Sequence, residues 1–79
     1  MYLHTMYIQD IMKEWKADAK IRGFITWKYN RKDKILNIYT HRPGPMIGMM
    51  GERIARFTDK LRAYEPDIKI NLEETEGIV

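Results

Sequence analysis

The 79-residue chain contains no cysteine and no serine. Without thiols it forms no disulfide and offers no thiolate to a metal, so the fold must rest on packing alone. Losing both residue types also removes the commonest nucleophiles of covalent catalysis. Histidine occurs only at His4 and His41, too few for a convincing metal site without cysteine. The acids gather towards the C-terminal end rather than in a cleft that could tune their pKa values. Neither an enzyme nor a resident metal or cofactor is expected. No apolar run approaches the roughly 18–20 residues of a membrane span. Residues 1–10 lack the basic and apolar regions of a signal peptide. The expectation is one small soluble domain in the cytoplasm, near the lower size limit for a self-sufficient core.

What is present is charge, unevenly placed. Net charge is only +3, but residues 1–64 carry 13 Lys and Arg against six acids. Residues 65–79 carry Lys69 against Glu65, Asp67, Glu73, Glu74 and Glu76. A basic body with an acidic tail is compatible with polyanion binding, and equally with ordinary solvated surface.

Apolar periodicity supplies the elements. Ile8, Ile11, Met12, Trp15 and Ala19 follow helical spacing, predicting a helix from Thr5 to about Lys20 with one buried face. Residues 24–29 and 34–40 are rich in β-branched and aromatic side chains and read as a hairpin around Asn30-Arg31-Lys32-Asp33. In the second strand Leu36, Ile38 and Thr40 share one face; Ile35, Asn37 and Tyr39 share the other. Pro45 suits the first turn of a short helix that Gly48 must end. From Gly51 to about Tyr64, Ile54, Phe57, Leu61 and Tyr64 mark a second amphipathic helix. Asp67 to Leu72 reads as a third strand, with Ile68, Ile70 and Leu72 on one face, and residues 73–79 as a frayed tail. The order is α-β-β-α-α-β, which predicts an α+β two-layer sandwich whose three-stranded sheet is covered by helices on one face.

The segment from His41 to Ile54 carries the chemistry. Gly44, Gly48 and Gly51 fall between a strand and a helix, where glycine permits unusual backbone conformations and close approach by a ligand. A turn just before a helix also aims backbone N–H groups outward, where an anion can meet them. A Walker loop would need Lys and Ser or Thr after the last glycine; a dinucleotide loop would need G-x-G-x-x-G. The spacing here is G-x-x-x-G-x-x-G, which leaves G-x-x-G between two helices, the backbone-clamping loop of KH domains.

The order of elements with this loop resembles type II KH domains. Ile38 to Gly48 is similar to the strand and Arg-Pro-Gly-x-x-Ile-Gly entry of the N-terminal KH domain of the third protein of the small ribosomal subunit. Gly51-Glu52-Arg53-Ile54 resembles that family's Gly-Glu-x-Ile helix opening, and Ile68 to Glu74 its last strand. The resemblance implies binding of single-stranded RNA or DNA, with RNA the expected form, and no cofactor. By position, Gly48, Met49, Met50 and Gly51, entered through Arg42 and Gly44, would meet the sugar-phosphate backbone. Ile47, Ile54, Ile68, Lys69 and Ile70 would form the floor and edge on which bases lie. The family's loop usually carries a Lys or Arg where this chain has Met49 and Met50.

Arg42, Arg53, Arg56 and Lys60 are close enough in sequence to compensate for that missing cation. Arg53, Arg56 and Lys60 also make sense as an ordinary solvated stripe. Met46 reads as core, whereas Met49 and Met50 read as exposed, and an exposed Met pair invites a protein partner. Trp27, Tyr29 and Tyr39 read as packing or edge cover in preference to base-stacking platforms. The rival to nucleic-acid binding is a protein-interaction module with the same fold, ribosome-associated or not.

Overall fold

The computed structural model describes residues 3–76. Helix α1 spans Thr5–Asp18 and buries Ile8, Ile11, Met12 and Trp15. Its first turn is capped by the His4 side chain, whose Nδ1 accepts the Met6 N–H at 3.1 Å. It ends before the expected Lys20 because Lys20 adopts a φ of 56°. The Lys20 and Ile21 N–H groups then close on Ala17 O and Lys16 O, satisfying carbonyls the last turn leaves open.

Strands β1 (Ile25–Asn30) and β2 (Ile35–Thr40) form the expected antiparallel hairpin. Its turn is held by the Asn30 side chain, which accepts the Asp33 N–H at 3.1 Å. Helix α2 spans Pro43–Ile47, a 3₁₀ turn follows at Met49–Gly51, helix α3 spans Glu52–Arg62, and strand β3 spans Lys69–Glu74. The sheet order is β1-β2-β3, with β3 parallel to β2. A parallel neighbour cannot be reached by a tight turn, so α2 and α3 serve as the crossover. The result is an α+β fold of order α-β-β-α-α-β, consistent with a KH-type fold.

Leu36, Ile38 and Thr40 are fully buried on the helix-facing side of β2. Their cross-strand partners Tyr29, Trp27 and Ile25 share that side and pack partly buried against the core. At its centre the Trp15 indole lies nearly parallel to Phe57 of α3, with ring centroids 5.3 Å apart. The Trp15 Nε1–H donates to Met46 O of α2 at 2.9 Å. One side chain thus joins all three helices.

The expected tail needs correction. Glu73 and Glu74 complete β3 opposite Tyr39 and Thr40, and the Thr75 N–H donates to Thr40 O at 2.9 Å. Backbone pairing to β2 carries the strand past the point where its side chains turn acidic. The rest of that expected tail, residues 77–79, lies outside the described residues.

Candidate nucleic-acid interface

The loop begins where β2 ends. Thr40 is buried, and its Oγ1 accepts the Arg42 N–H at 3.2 Å, which settles a polar group in the core and turns the chain off the sheet. After the single turn of α2, the Gly48 N–H donates to Gly44 O at 3.0 Å. Gly48 itself takes φ 78° and ψ 177°. A Cβ there would also lie 2.7 Å from Arg53 Cβ and 3.0 Å from Arg53 N, so backbone conformation and space both demand glycine. Gly51 has φ 76° but open space around it; only its conformation matters. Between them Met50 takes φ 55°, uncommon for a side chain with a Cβ.

This turn pushes its side chains into solvent. Met49 is 83% exposed and Met50 99%, with Ile47 beside them at 40%. Met46, one helical turn earlier, is completely buried. The expectation that all loop N–H groups face a ligand is corrected, because the turn closes on itself. Gly48 N–H is held by Gly44 O, and Gly51 N–H by Gly48 O at 3.2 Å. The remaining donors of the loop are the N–H groups of Met49 and Met50.

Beyond the turn, α3 and β3 flank a groove of about 320 Å³ lined by Ile54, Ala55, Thr58, Asp59, Arg62 and Ile70. Ile54 and Ile70, both expected as apolar walls, meet here. Ile68 does not join them: it is 1% exposed and belongs to the core. Lys69 pairs with Ile35 in the register, on the opposite face of the sheet from Ile70, because successive strand residues alternate. Thr58, Asp59 and Arg62 were not anticipated as groove residues. Ile54, Thr58 and Arg62 are each four residues apart, and that helical spacing was the available signal.

The basic stripe of α3 faces α1. Asp18 accepts from Arg53 Nε at 2.8 Å and from an Arg56 guanidinium nitrogen. Lys60 lies 3.3 Å from a Glu14 carboxylate oxygen, and Arg53 Nη1 donates to Pro45 O at 2.7 Å. The Arg53 hydrogen bond, with help from Arg56 and against some desolvation, holds the Asp18 carboxyl below its ordinary range. Of the four cations expected to compensate for the Met-Met loop, Arg53, Arg56 and Lys60 are therefore paired within the molecule. The signal for this was the spacing of Asp10, Glu14 and Asp18 at i, i+4 and i+8 on α1, an acidic stripe ready to meet a basic one. Arg42 keeps its expected place, exposed just before α2, and Gly44 lies exposed in that helix's first turn.

Among the described residues no group of three His, Asp or Glu side chains is placed to hold a metal. No helix among them is long and apolar enough to cross a membrane. No family model, no curated protein and no solved structure matches the chain. What the structure adds is the α-β-β-α-α-β order, which is consistent with a KH-type fold.

Proposed function

We propose that the chain binds single-stranded nucleic acid, RNA in preference to DNA and in a cytoplasmic setting, through the Gly48–Gly51 loop and the groove between α3 and β3. The loop carries this reading. Two glycines of positive φ bracket an exposed turn whose Met49 and Met50 N–H groups remain for an anion. Phosphates would meet those donors, with Arg42 supplying nearby charge, and bases would lie against Ile54 and Ile70. A turn of this kind grips one strand and leaves its bases splayed, so a single strand should bind better than its duplex. Competition between a labelled RNA strand and the matching duplex tests this; an equal or stronger duplex signal would sink it. Replacing Met49 and Met50 together by Asp should abolish the single-strand signal while circular dichroism stays native.

A second reading has its own observation. Met49, Met50 and Ile47 form an exposed apolar tip without a cation, which suits contact with another protein, on the ribosome or elsewhere. Under that reading, RNA titration shows nothing tighter than the roughly 10⁻⁴ M of non-specific contact.

A further inference from the structure

Helix α1 separates its charges. Asp10, Glu14 and Asp18 form one stripe, of which Glu14 and Asp18 receive the cations of α3. Lys13 and Lys16, one turn apart, line a different groove, between α1 and strand β1. That groove, of about 220 Å³, is walled by Gln9, Met12, Lys13, Lys16, Ile25 and Trp27, with no carboxylate among them. Neither lysine forms an ion pair among the described residues. The β1 strand is the sheet's outer edge here, and Trp27 is half-buried, packed against the core yet still part of the groove wall.

Two unpaired ammonium groups beside an indole match the two halves of a nucleotide. Lysines neutralise phosphates and gain from counterion release, while a base has a π-face to lay on an aromatic ring. A run of acidic residues would satisfy the lysines but, unlike a nucleotide, does not join a π-face to each negative charge. We propose that the α1–β1 groove is a second contact for the nucleic-acid strand, with Lys13 and Lys16 on backbone phosphates and Trp27 against a base. This rests on the reading that the chain binds single strands, but it uses the opposite edge of the sheet from the glycine loop.

The test uses the whole chain and a fluorescein-labelled oligouridylate of about 12 nucleotides over a salt series from about 50 to 200 mM. The double variant Lys13→Gln, Lys16→Gln should bind about tenfold more weakly at the lowest salt. Its log-affinity against log-salt slope should be shallower by up to about 1.4, two phosphates on a single strand. Its circular dichroism and melting temperature should match the parent's. Titrating unlabelled oligouridylate should quench the parent's tryptophan fluorescence, and Trp27→Phe should remove most of that quench, because Trp15 is buried against Phe57. Unchanged affinity and slope in the lysine variant overturn the proposal. If that variant is unchanged while Met49→Asp, Met50→Asp abolishes binding, the glycine loop is the contact and this groove is not. The converse pattern keeps this groove and removes the loop. A parent that binds polyglutamate but no oligouridylate overturns both and assigns the lysines to an acidic protein partner.

Discussion

Each edge of the sheet ends in a groove beneath a helix, and the two grooves differ in what charge lines them. At the β3 edge, Arg62 sits with Asp59, and the three cations next along α3 are turned onto Glu14 and Asp18. At the β1 edge, Lys13 and Lys16 meet no acid. The edge bearing the glycine loop thus leaves the Met49 and Met50 N–H groups without an internal partner among the described residues but has three of its cations paired. The other edge has two unpaired lysines and no such loop. Availability depends on whether an acid of the neighbouring helix has already met a cation. A stripe of basic residues in a sequence cannot report that by itself.

The largest expected effect removes the support common to both edges. Trp15 stacks on Phe57 and holds Met46 O, so Trp15→Ala should destabilise the chain by about 3–5 kcal/mol. A chain of this length has roughly 4–12 kcal/mol in total. Urea unfolding followed by circular dichroism should show a large fall in midpoint, and RNA binding at both edges should fail together. Trp15→Phe keeps a ring and loses the donor to a buried carbonyl, which should cost about 1–3 kcal/mol. If the alanine variant lost less than the phenylalanine variant, the helices would be held by something other than this indole.

A smaller effect should separate the edges. Gly48→Ala must adopt a positive φ and also displace Arg53 from 2.7 Å, so it should cost more than the 1–2 kcal/mol or so of a left-handed conformation alone. Gly51→Ala has φ 76° with ψ 12°, the ordinary left-handed region, and meets open space, so it should cost only about 1–2 kcal/mol. Thermal melts of the two variants give the difference directly. Gly48→Ala should weaken contact at the loop and leave the lysine-dependent part of the salt slope in place. Equal melting temperatures would mean that neither the extended positive-φ backbone at Gly48 nor its contact with Arg53 is restrictive.

The sequence foretold the backbone better than the electrostatics, and the reason lies in what each depends on. Alternation in Leu36, Ile38 and Thr40, and helical spacing in Ile8, Ile11, Met12 and Trp15, are local patterns, and both faces are buried as expected. Gly48 correctly ended α2, although the helix begins at Pro43 and not at Pro45, and the glycine spacing exposed Met49 and Met50. The end of β3 was missed because Glu73 and Glu74 look like a solvated tail, while a strand's length is set by its hydrogen-bonded neighbour. Ile68 and Ile70 share a face, yet only packing depth distinguishes core from groove wall. The loop N–H groups and the paired cations depended on how the turn and two helices close, which spacing suggests but does not decide.

Asp18→Asn tests the pairing itself. The variant keeps the side chain's shape but removes the charge that engages Arg53 and Arg56. Two released cations should steepen the RNA salt slope by up to about 1.4, moving the β3 edge towards the condition of the β1 edge. Acid should act on the same pair in the parent. The Asp18 carboxyl is held below the ordinary carboxylate range, chiefly by the Arg53 hydrogen bond. Its contribution to stability is thus full above the ordinary carboxylate pKa and lost as pH falls through the lowered folded-state pKa. Melting temperatures measured downward from neutral pH should fall less steeply in Asp18→Asn at the acid end. Identical profiles would show that the pair does not contribute to stability.

The smallest expected effect adds one charge where the glycine loop lacks it. Met49→Lys or Met50→Lys places an ammonium on a side chain that is already almost wholly exposed, so stability should barely change. Met50 already holds its positive φ with a Cβ in place, so lysine adds no new backbone demand there. If the loop meets a phosphate, one further contact should steepen the single-strand salt slope by up to about 0.7, half the effect expected from Asp18→Asn. Combining Met50→Lys with the double lysine-to-glutamine change on α1 then sets the two edges against each other. A loop that contacts the strand should recover part of the affinity lost at the other edge. If neither lysine alters affinity or slope in the parent or in that background, phosphate does not reach the turn. Met49, Met50 and Ile47 would then be better explained as a contact for another protein.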